Sequence, residues 1–520
     1  MDEFANLSTG KERPSEYAER VGSMYARLSA QEDKKNRGQF FTPGQIAMFM
    51  AEQADSPLYD SIRILDPGCG SAVLSCALIE VLVSRRTERL SEIILDLYDT
   101  DAGLLPDTEK VLKFLGDWCA ERGINLLYSL RQSDFVLDNA CALSDQKTLF
   151  GKDNTTRYDY IISNPPYFKI PKTDPRSRAC AAIIDGQTNI YALFMAICAR
   201  LLREKGQMIF ITPRSFASGR YFQSFRSFLF ENVSLDFVHL FKTRKDTFAK
   251  DDVLQELVIT SFHRLYGNRT IEISNSVGIS DLKNIQMKEY PVDFIVDVDS
   301  TEKVVYLPSD ERENRILALF RSWNGNLGKY GIGISTGPVV AFRAYDNIIQ
   351  EEEKGAVPLF WMHNVVKMLA DHPVEKRDKG QYIIVNEDTR PYLLPNKNYV
   401  LLRRFSSKDD DSRLVAAPYF GNMSKYELVG IENKLNYIHR PGGRLRRDEV
   451  IGISALLNSN IFDTYFRTFN GNINVSATEL RMMPMPELDT IRKIGRNIIM
   501  NNDYSVKYIN IILMEYFNME

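Results

Sequence analysis

Residues 61–74 read Ser-Ile-Arg-Ile-Leu-Asp-Pro-Gly-Cys-Gly-Ser-Ala-Val-Leu, and the order of residue types in them decides the fold. Ile62 to Leu65 is an apolar run of strand length that stops at Asp66, and Gly68 and Gly70 then turn the chain into a helical apolar stretch, Ala72 to Val83. Glycine at such a turn permits a tight bend and lets a ligand approach the backbone. The alternation recurs downstream. Ile93 to Tyr98 is a second strand, ending at Asp99 and Asp101; Leu104 to Arg122 is a helix; Leu126 to Leu130 is strand-like and leads to Asp134. Tyr158 to Ser163 is an apolar strand ending at Asn164, and Ile190 to Leu202 is a helix stopped by Lys205-Gly206. A strand over Gln207 to Thr212, a helix over Phe222 to Phe230 and strands over Leu235 to Phe241 and Leu254 to Phe262 complete the series. This succession predicts an α/β fold with a mostly parallel sheet and helices on both faces. Right-handed crossovers bring the polar strand ends to one edge, where ligands bind.

Ahead of this block, Tyr17, Val21, Met24, Tyr25 and Leu28 recur at helical spacing within residues 14–32. After a basic link, Ile46 to Ala54 reads as a second helix, with Thr42 expected as its N-cap and Pro43 at its first position. Beyond about residue 300 glycine, asparagine and proline break up short mixed runs, which predicts a second domain of mixed α/β build. The linker is expected within residues 300–325, with domains over 1–310 and 311–520.

A chain of 520 residues exceeds one ordinary core, and its 44% hydrophobic residues can supply two. Cys69, Cys76, Cys119, Cys141, Cys180 and Cys198 form no CxxC pair and are read as buried thiols. The five histidines are scattered, so no metal site is expected. No leader-like start or membrane-length apolar run is present, which predicts a soluble, cytoplasmic protein. The net charge of −3 hides local basic clusters at Lys34, Lys35 and Arg37, at Lys242, Arg244 and Lys245, at Arg403 and Arg404, and at Arg440, Arg444, Arg446 and Arg447.

The strand ends carry the chemistry. The Asp66 loop lacks the lysine of a phosphate-binding loop, which suits a nucleoside with an amino-acid tail better than a triphosphate. A carboxylate at Asp99 can accept from two ribose hydroxyls, with Asp101 as competitor for the role, and Asp134 can accept from an adenine amine while Phe135 packs on the ring. Asn164-Pro165-Pro166-Tyr167 is the most informative string. Two prolines stiffen the backbone, so that the Asn164 side-chain oxygen and the Pro165 carbonyl form a convergent pair of acceptors. Two acceptors on the N–H bonds of a planar aromatic amine draw its nitrogen toward tetrahedral character and orient it for attack. Tyr167 can stack on an extruded base. No general base is needed before transfer, since the proton turns acidic only afterwards.

These motifs, in this order, resemble the gamma-class adenine-N6 DNA methyltransferases of type II restriction-modification systems. The resemblance implies a Rossmann-like methyltransferase domain that binds S-adenosyl-L-methionine, a target-recognition domain at the carboxyl end, and transfer to N6 of a flipped adenine in double-stranded DNA. Phe40-Phe41-Thr42-Pro43 resembles the family's first cofactor motif, which implies that Thr42 contacts the methionine carboxylate. Asp66, Gly68 and Gly70 match the glycine loop, with Ser71 where a third glycine or alanine is common; Asp99, Asp134 and Phe135 match the nucleoside pocket, and Asn164, Pro165 and Tyr167 the catalytic set. The family's second base-clamping aromatic matches Phe248, with Phe241 as the alternative.

In the second domain Arg403, Arg404, Arg440, Arg444, Arg446 and Arg447 are the candidate DNA contacts, and Asn470, Asn472 and Asn474 either cap turns or read bases, turns being favoured. A DNA cleft between the two domains, a monomer, and a cognate restriction endonuclease on a separate chain are expected. The alternatives are methylation of a protein glutamine amide, cytosine-N4 methylation, the modification subunit of a multisubunit restriction complex, and an inactive DNA-binding scaffold of the same fold.

Overall fold

The computed structural model describes residues 12–28, 41–86, 89–143, 156–184, 188–241, 257–264, 270–374, 376, 379–406, 410–471 and 473–519. Two compact units divide the chain, Met1–Leu307 and Pro308–Glu520. The boundary falls where Val305 donates its N–H to the Ala217 carbonyl (2.9 Å) and so keeps the end of the first unit on its own core.

The first unit is built on nine strands: β1 (Ser61–Asp66), β2 (Glu92–Asp99), β3 (Asn125–Gln132), β4 (Tyr158–Ser163), β5 (Leu202–Pro213), β6 (Val233–Phe241), β7 (Leu257–Arg264), β8 (Thr270–Ser276) and β9 (Met287–Pro291). Their order in the sheet is β9-β8-β6-β7-β5-β4-β1-β2-β3. From β3 across β2, β1 and β4 to β5 every pairing is parallel, while β7 runs antiparallel to both of its neighbours. A parallel ladder must be covered on both faces, which is why β4 is buried at all of its residues and reads as a continuous apolar run. The helix α3 (Val73–Ser84) has Val73 through Val83 all buried; a helix apolar on every side has nowhere to lie but inside.

Around this core stand α1 (Pro14–Leu28), α2 (Gly44–Ala51), α4 (Leu105–Ala120), α5 (Phe135–Asn139), α6 (Pro175–Ala179), α7 (Ile190–Leu201) and α8 (Gln223–Asn232). α1 docks on α3 through a buried acid: the Ser15 N–H and hydroxyl donate to Glu80 at 2.7 and 3.0 Å, satisfying donors at the start of α1.

Several local expectations need correction. Pro43 rather than Thr42 is the N-cap of α2, and it makes no side-chain cap bond. The orphan N–H of Gly44 is instead satisfied by Glu19 of α1 at 2.8 Å, and the Thr42 hydroxyl is turned to Asn164. The helix α7 ends at Leu201, one residue short of the expected Leu202, and Lys205-Gly206 is not what stops it: Leu202 already pairs with Tyr158 in the sheet, and Lys205, at φ 63°, sits in an irregularity inside β5. Cys141 is exposed, in the short turn after α5, whereas the other five cysteines are buried and therefore inert as nucleophiles.

The second unit packs two small sheets with helices. One comprises β10 (Gly333–Thr336), β13 (Tyr399–Arg403), β14 (Ala416–Tyr419) and β16 (Leu435–His439), antiparallel throughout in the order β10-β16-β13-β14. The other centres on β11 (Ala356–Phe360), flanked by β12 (Tyr382–Ile384) and β15 (Leu428–Ile431). The helices are α9 (Glu311–Arg321), α10 (Arg447–Asn458), α11 (Asn460–Phe469), α12 (Ala477–Met482), α13 (Leu488–Asn501) and α14 (Val506–Tyr516). Among the described residues no helix is long and apolar enough to cross a membrane, and no cluster of His, Cys, Asp and Glu could hold a metal ion.

Candidate active site

The C-terminal ends of β1 to β4 open on a cavity of about 370 Å³ whose wall includes Phe41, Gly68, Gly70, Asp99, Asp134, Phe135 and Asn164. The parallel register explains why residues so far apart in the chain meet there: each strand delivers its last residue to the same edge. Gly70 takes φ 52°, a left-handed turn that favours glycine, and Ala72 follows at φ 63°. The loop is held open by Cys69, whose N–H donates to the Tyr98 carbonyl of β2 (2.9 Å). Ser71 is buried against α1, where a Cβ added at Gly22 would come within 2.7 Å of its hydroxyl.

Asp66 is fully buried and does not line the cavity. Its Oδ2 accepts from the Ser75 hydroxyl (2.6 Å), and its buried Oδ1 completes no hydrogen bond among the described residues. Burial pushes the carboxyl up to about 7, against the lowering influence of the Ser75 hydroxyl and the Gly68 N–H. Asp99 accepts from the Gly70 N–H (2.8 Å) and the Asp101 N–H (2.9 Å), so it both shapes the loop and faces the cavity; burial raises its pKa. Asp101 also reaches the cavity, but its two oxygens accept from the Tyr25 hydroxyl of α1 at 3.0 Å each. Asp134 caps α5 by accepting from the Leu137 N–H (3.1 Å), and its other oxygen lies 3.7 Å from Arg176. Phe135 is wedged between Tyr98 and Phe194, with ring centroids at 5.3 and 5.2 Å.

Asn164 follows the buried β4 and is held at both ends of its amide. Its Nδ2 donates to Thr42 Oγ1 (3.0 Å), which turns Oδ1 toward the hydroxyl of Tyr167; that hydroxyl also meets the Ile211 carbonyl at 2.8 Å. Tyr167 is buried, its ring edge-on to Tyr191, and burial drives its pKa well up, so the hydroxyl stays protonated. Pro166 and Phe168 line the cavity; Pro165, Tyr167 and Thr42 do not. Phe248, Phe40 and the clusters at Lys34, Lys35 and Arg37 and at Lys242, Arg244 and Lys245 lie outside the described residues, as does Asn472. The alternative aromatic Phe241 is buried at the end of β6, edge-on to His239.

Sequence reasoning missed Ile190, Phe194, Phe168 and Arg176 in the cavity wall. Ile190 and Phe194 sit four apart on α7, a spacing that marks one helix face without saying what it faces. Arg176 lies on α6, whose cap Asp174 accepts from the Arg176 N–H at 2.9 Å; the Asp-Pro pair was its only local signal.

In the second unit the candidate arginines separate by their partners. Arg403 donates to the Val365 carbonyl (2.7 Å) and Arg404 to the Asn433 carbonyl (3.0 Å). Arg440 pairs with the buried Glu449 (3.0 Å), and Arg446 with Asp448 (3.0 Å). Arg444 is exposed, and Arg447 lies over the Phe420 ring at 5.5 Å. Asn470 is fully buried, bridging Arg413 and Glu479, and Asn474 pairs with Phe405 in an isolated bridge, both structural uses.

A cavity walled by acids and aromatic rings at the carboxyl edge of a parallel sheet is the arrangement of a methyltransferase-like α/β protein. Sequence relatives narrow the class. Residues 19–113 match the N-6 DNA Methylase family and residues 107–248 the Eco57I restriction-modification methylase family. The type II methyltransferase M.BsuBI of Bacillus subtilis is 33% identical over 469 residues, covering 90% of this chain and 91% of the relative. M.PstI of Providencia stuartii is 29% identical over 464 residues, covering 89% of each. The chain belongs to the type II DNA methyltransferases of restriction-modification systems. In fold it is also similar to the type IIL restriction-modification enzyme MmeI in complex with DNA, at a TM-score of 0.51 and 11% identity, covering 85% of this chain and 65% of that one.

Proposed function

We propose that this DNA methyltransferase modifies N6 of an adenine flipped out of double-stranded DNA. The observation that carries the reading is the Asn164 amide, on the wall of the cavity with its Nδ2 turned to Thr42 and its Oδ1 to the Tyr167 hydroxyl, which fixes which end of the amide can act as an acceptor. S-adenosylmethionine supplies, when bound, an electrophilic methyl group on a sulfonium. The residues present fit that cofactor: Asp99 and Asp134 on the cavity wall would accept from ribose hydroxyls and an adenine amine, and the buried Asp66 behind the glycine loop carries an Oδ1 with no hydrogen bond among the described residues. Phe41, Phe135, Ile190 and Phe194 offer apolar walls to a nucleoside.

Asn164 Oδ1 and the Pro165 carbonyl accept from the two N–H bonds of the target amine. Withdrawing both protons toward acceptors localises the nitrogen lone pair where it can attack. The gamma-class order of motifs, with Asn164 rather than serine or threonine beginning the loop, favours adenine over cytosine. A second unit with several arginines favours duplex DNA over a protein glutamine; it reads the target site, and a cognate endonuclease is a separate protein. Extrusion of the base is required because its amine otherwise lies inside the helix.

Incubation with labelled S-adenosylmethionine and mixed-sequence duplex DNA, followed by digestion to nucleosides, tests this. Label is expected in N6-methyladenine; label in N4-methylcytosine or in protein overturns the reading. Asn164→Ala is expected to abolish transfer while cofactor binding persists, and turnover equal to wild type removes the proposed acceptor pair.

A further inference from the structure

The four arginines between residues 440 and 447 are equivalent in sequence and unequal in structure. Arg440 is engaged by Glu449, an acid with no exposed side-chain surface, and also donates to the Tyr330 carbonyl (2.8 Å). Arg446 forms two hydrogen bonds to Asp448, at 3.1 and 3.0 Å. Arg444 and Arg447 have no carboxylate partner among the described residues, and both line a cavity of about 600 Å³ in the second unit, together with Lys397 and Phe420. Two asparagines build its frame. Asn396 Nδ2 donates to the carbonyls of Gly421 and Tyr426 (2.8 and 2.6 Å) and its Oδ1 accepts from the Tyr419 hydroxyl; Asn398 Nδ2 donates to the Leu445 carbonyl (2.9 Å) and its Oδ1 accepts from the Gly421 N–H. Their amides are thus turned into the protein and hold the two flanking loops in place.

The charged groups on the cavity wall are all cationic, beside the uncharged side chains of Asn422 and Met423. Among the described residues Lys397 makes one hydrogen bond, to the Gly443 carbonyl (3.3 Å), the Arg444 guanidinium makes none, and that of Arg447 rests on the Phe420 ring. No aspartate or glutamate is among the lining residues. Three positive groups in one concavity with no acid to neutralise them select an anion that accepts many hydrogen bonds. A base edge presents a mixed set of donors and acceptors, and a cluster of pure donors suits it poorly.

We infer that the cavity bounded by Lys397, Arg444 and Arg447 clamps a backbone phosphodiester of the DNA substrate and so positions the duplex without reading its sequence. The inference rests on the reading of the second unit as the DNA-recognising part. Arg440 and Arg446, by contrast, serve the fold.

The test is equilibrium binding of the full-length protein to two duplexes of unrelated sequence across a series of salt concentrations. Arg444→Gln and Arg447→Gln, singly and together with Lys397→Gln, are compared with Arg440→Gln. Neutralising one phosphate contact is expected to lower the slope of log affinity against log salt by about 0.9, to the same degree on both duplexes. Melting temperature and cofactor binding are expected to stay at the wild-type level for the cavity variants, whereas Arg440→Gln lowers the melting temperature. An unchanged slope in the triple variant overturns the assignment, and so does a loss confined to one duplex, which would make the cavity a reader of bases. If the wild-type protein itself binds neither duplex, it is the reading of the second unit that fails; if it binds with a salt slope that the variants share, only the cavity assignment fails.

Discussion

At the scale of single residues, the arrangement around Asn164 turns on a threonine. Thr42 lies 122 positions upstream, and its hydroxyl fixes which end of the amide proposed as catalytic is an acceptor. An amide free to rotate would present its NH₂ to the substrate amine in part of the population, and two donors facing each other repel. Thr42→Val keeps the shape and removes the hydroxyl; it is expected to lower kcat on the order of tenfold, the worth of one net hydrogen bond. Thr42→Ser keeps the hydroxyl and is expected to stay near wild type. Single-turnover kinetics on unmodified duplex DNA decide: serine and valine variants falling equally would show that the hydroxyl does not act through Asn164. Asp99 and Asp101 illustrate a second point at this scale. Both are carboxylates at the end of one strand and both accept backbone N–H groups, but only Asp101 also takes the Tyr25 hydroxyl from α1.

At the scale of elements, the sheet carries a charged staple away from the cavity. His263 on β7 bonds Asp236 on β6 through Nδ1 (2.6 Å) and Asp55, beyond α2, through Nε2 (3.1 Å). Burial works against its charge, yet the hydrogen bonds it donates to the two carboxylates prevail and raise its pKa to about 9. A folded-state pKa above the unfolded value of about 6.5 means the staple stabilises fully below about pH 6.5 and is lost as pH rises through about 9. The contribution is roughly 2 kcal/mol, discounted because the Asp55 side chain is 71% exposed. Denaturation of wild type and His263→Gln between pH 6 and pH 10 is expected to show a gap in stability that narrows with rising pH; parallel curves would remove the staple. The ends of elements were harder to foresee than their existence. α2 is capped by Glu19 from another helix, and β5 begins before the glycine that was expected to end α7, because Leu202 gains more from pairing in the sheet than from one more helical turn.

At the scale of the whole molecule, two units each own a core, and the second depends on one close helix crossing. A Cβ at Gly495 of α13 would come 1.9 Å from the Asp448 carbonyl oxygen, and one at Gly452 of α10 would come 2.1 Å from that of Ile491. Backbone meets backbone there, so no side chain can yield. Gly495→Ala is expected to cost about 3 kcal/mol or more by forcing the two helices apart. Calorimetry is expected to show a lowered transition for the second unit, while S-adenosylhomocysteine still raises that of the first. A variant as stable as wild type would refute the close crossing.

The periodicity of short apolar runs and the residues that end them were legible without a structure. That Asp99, Asp134 and Asn164 come to one cavity was foreseeable because a parallel sheet sends every strand end to one edge, so chain order alone implies proximity; that Asp66 turns away from it was not. The hydrogen bond from Asn164 to Thr42, the Asp236-His263-Asp55 staple, the Gly495 crossing and the division of Arg440 and Arg446 from Arg444 and Arg447 were not legible. Backbone periodicity is a local property that burial enforces residue by residue. The partner of a charged or polar side chain is whichever group a distant part of the chain brings within about 3 Å, and only tertiary packing decides that.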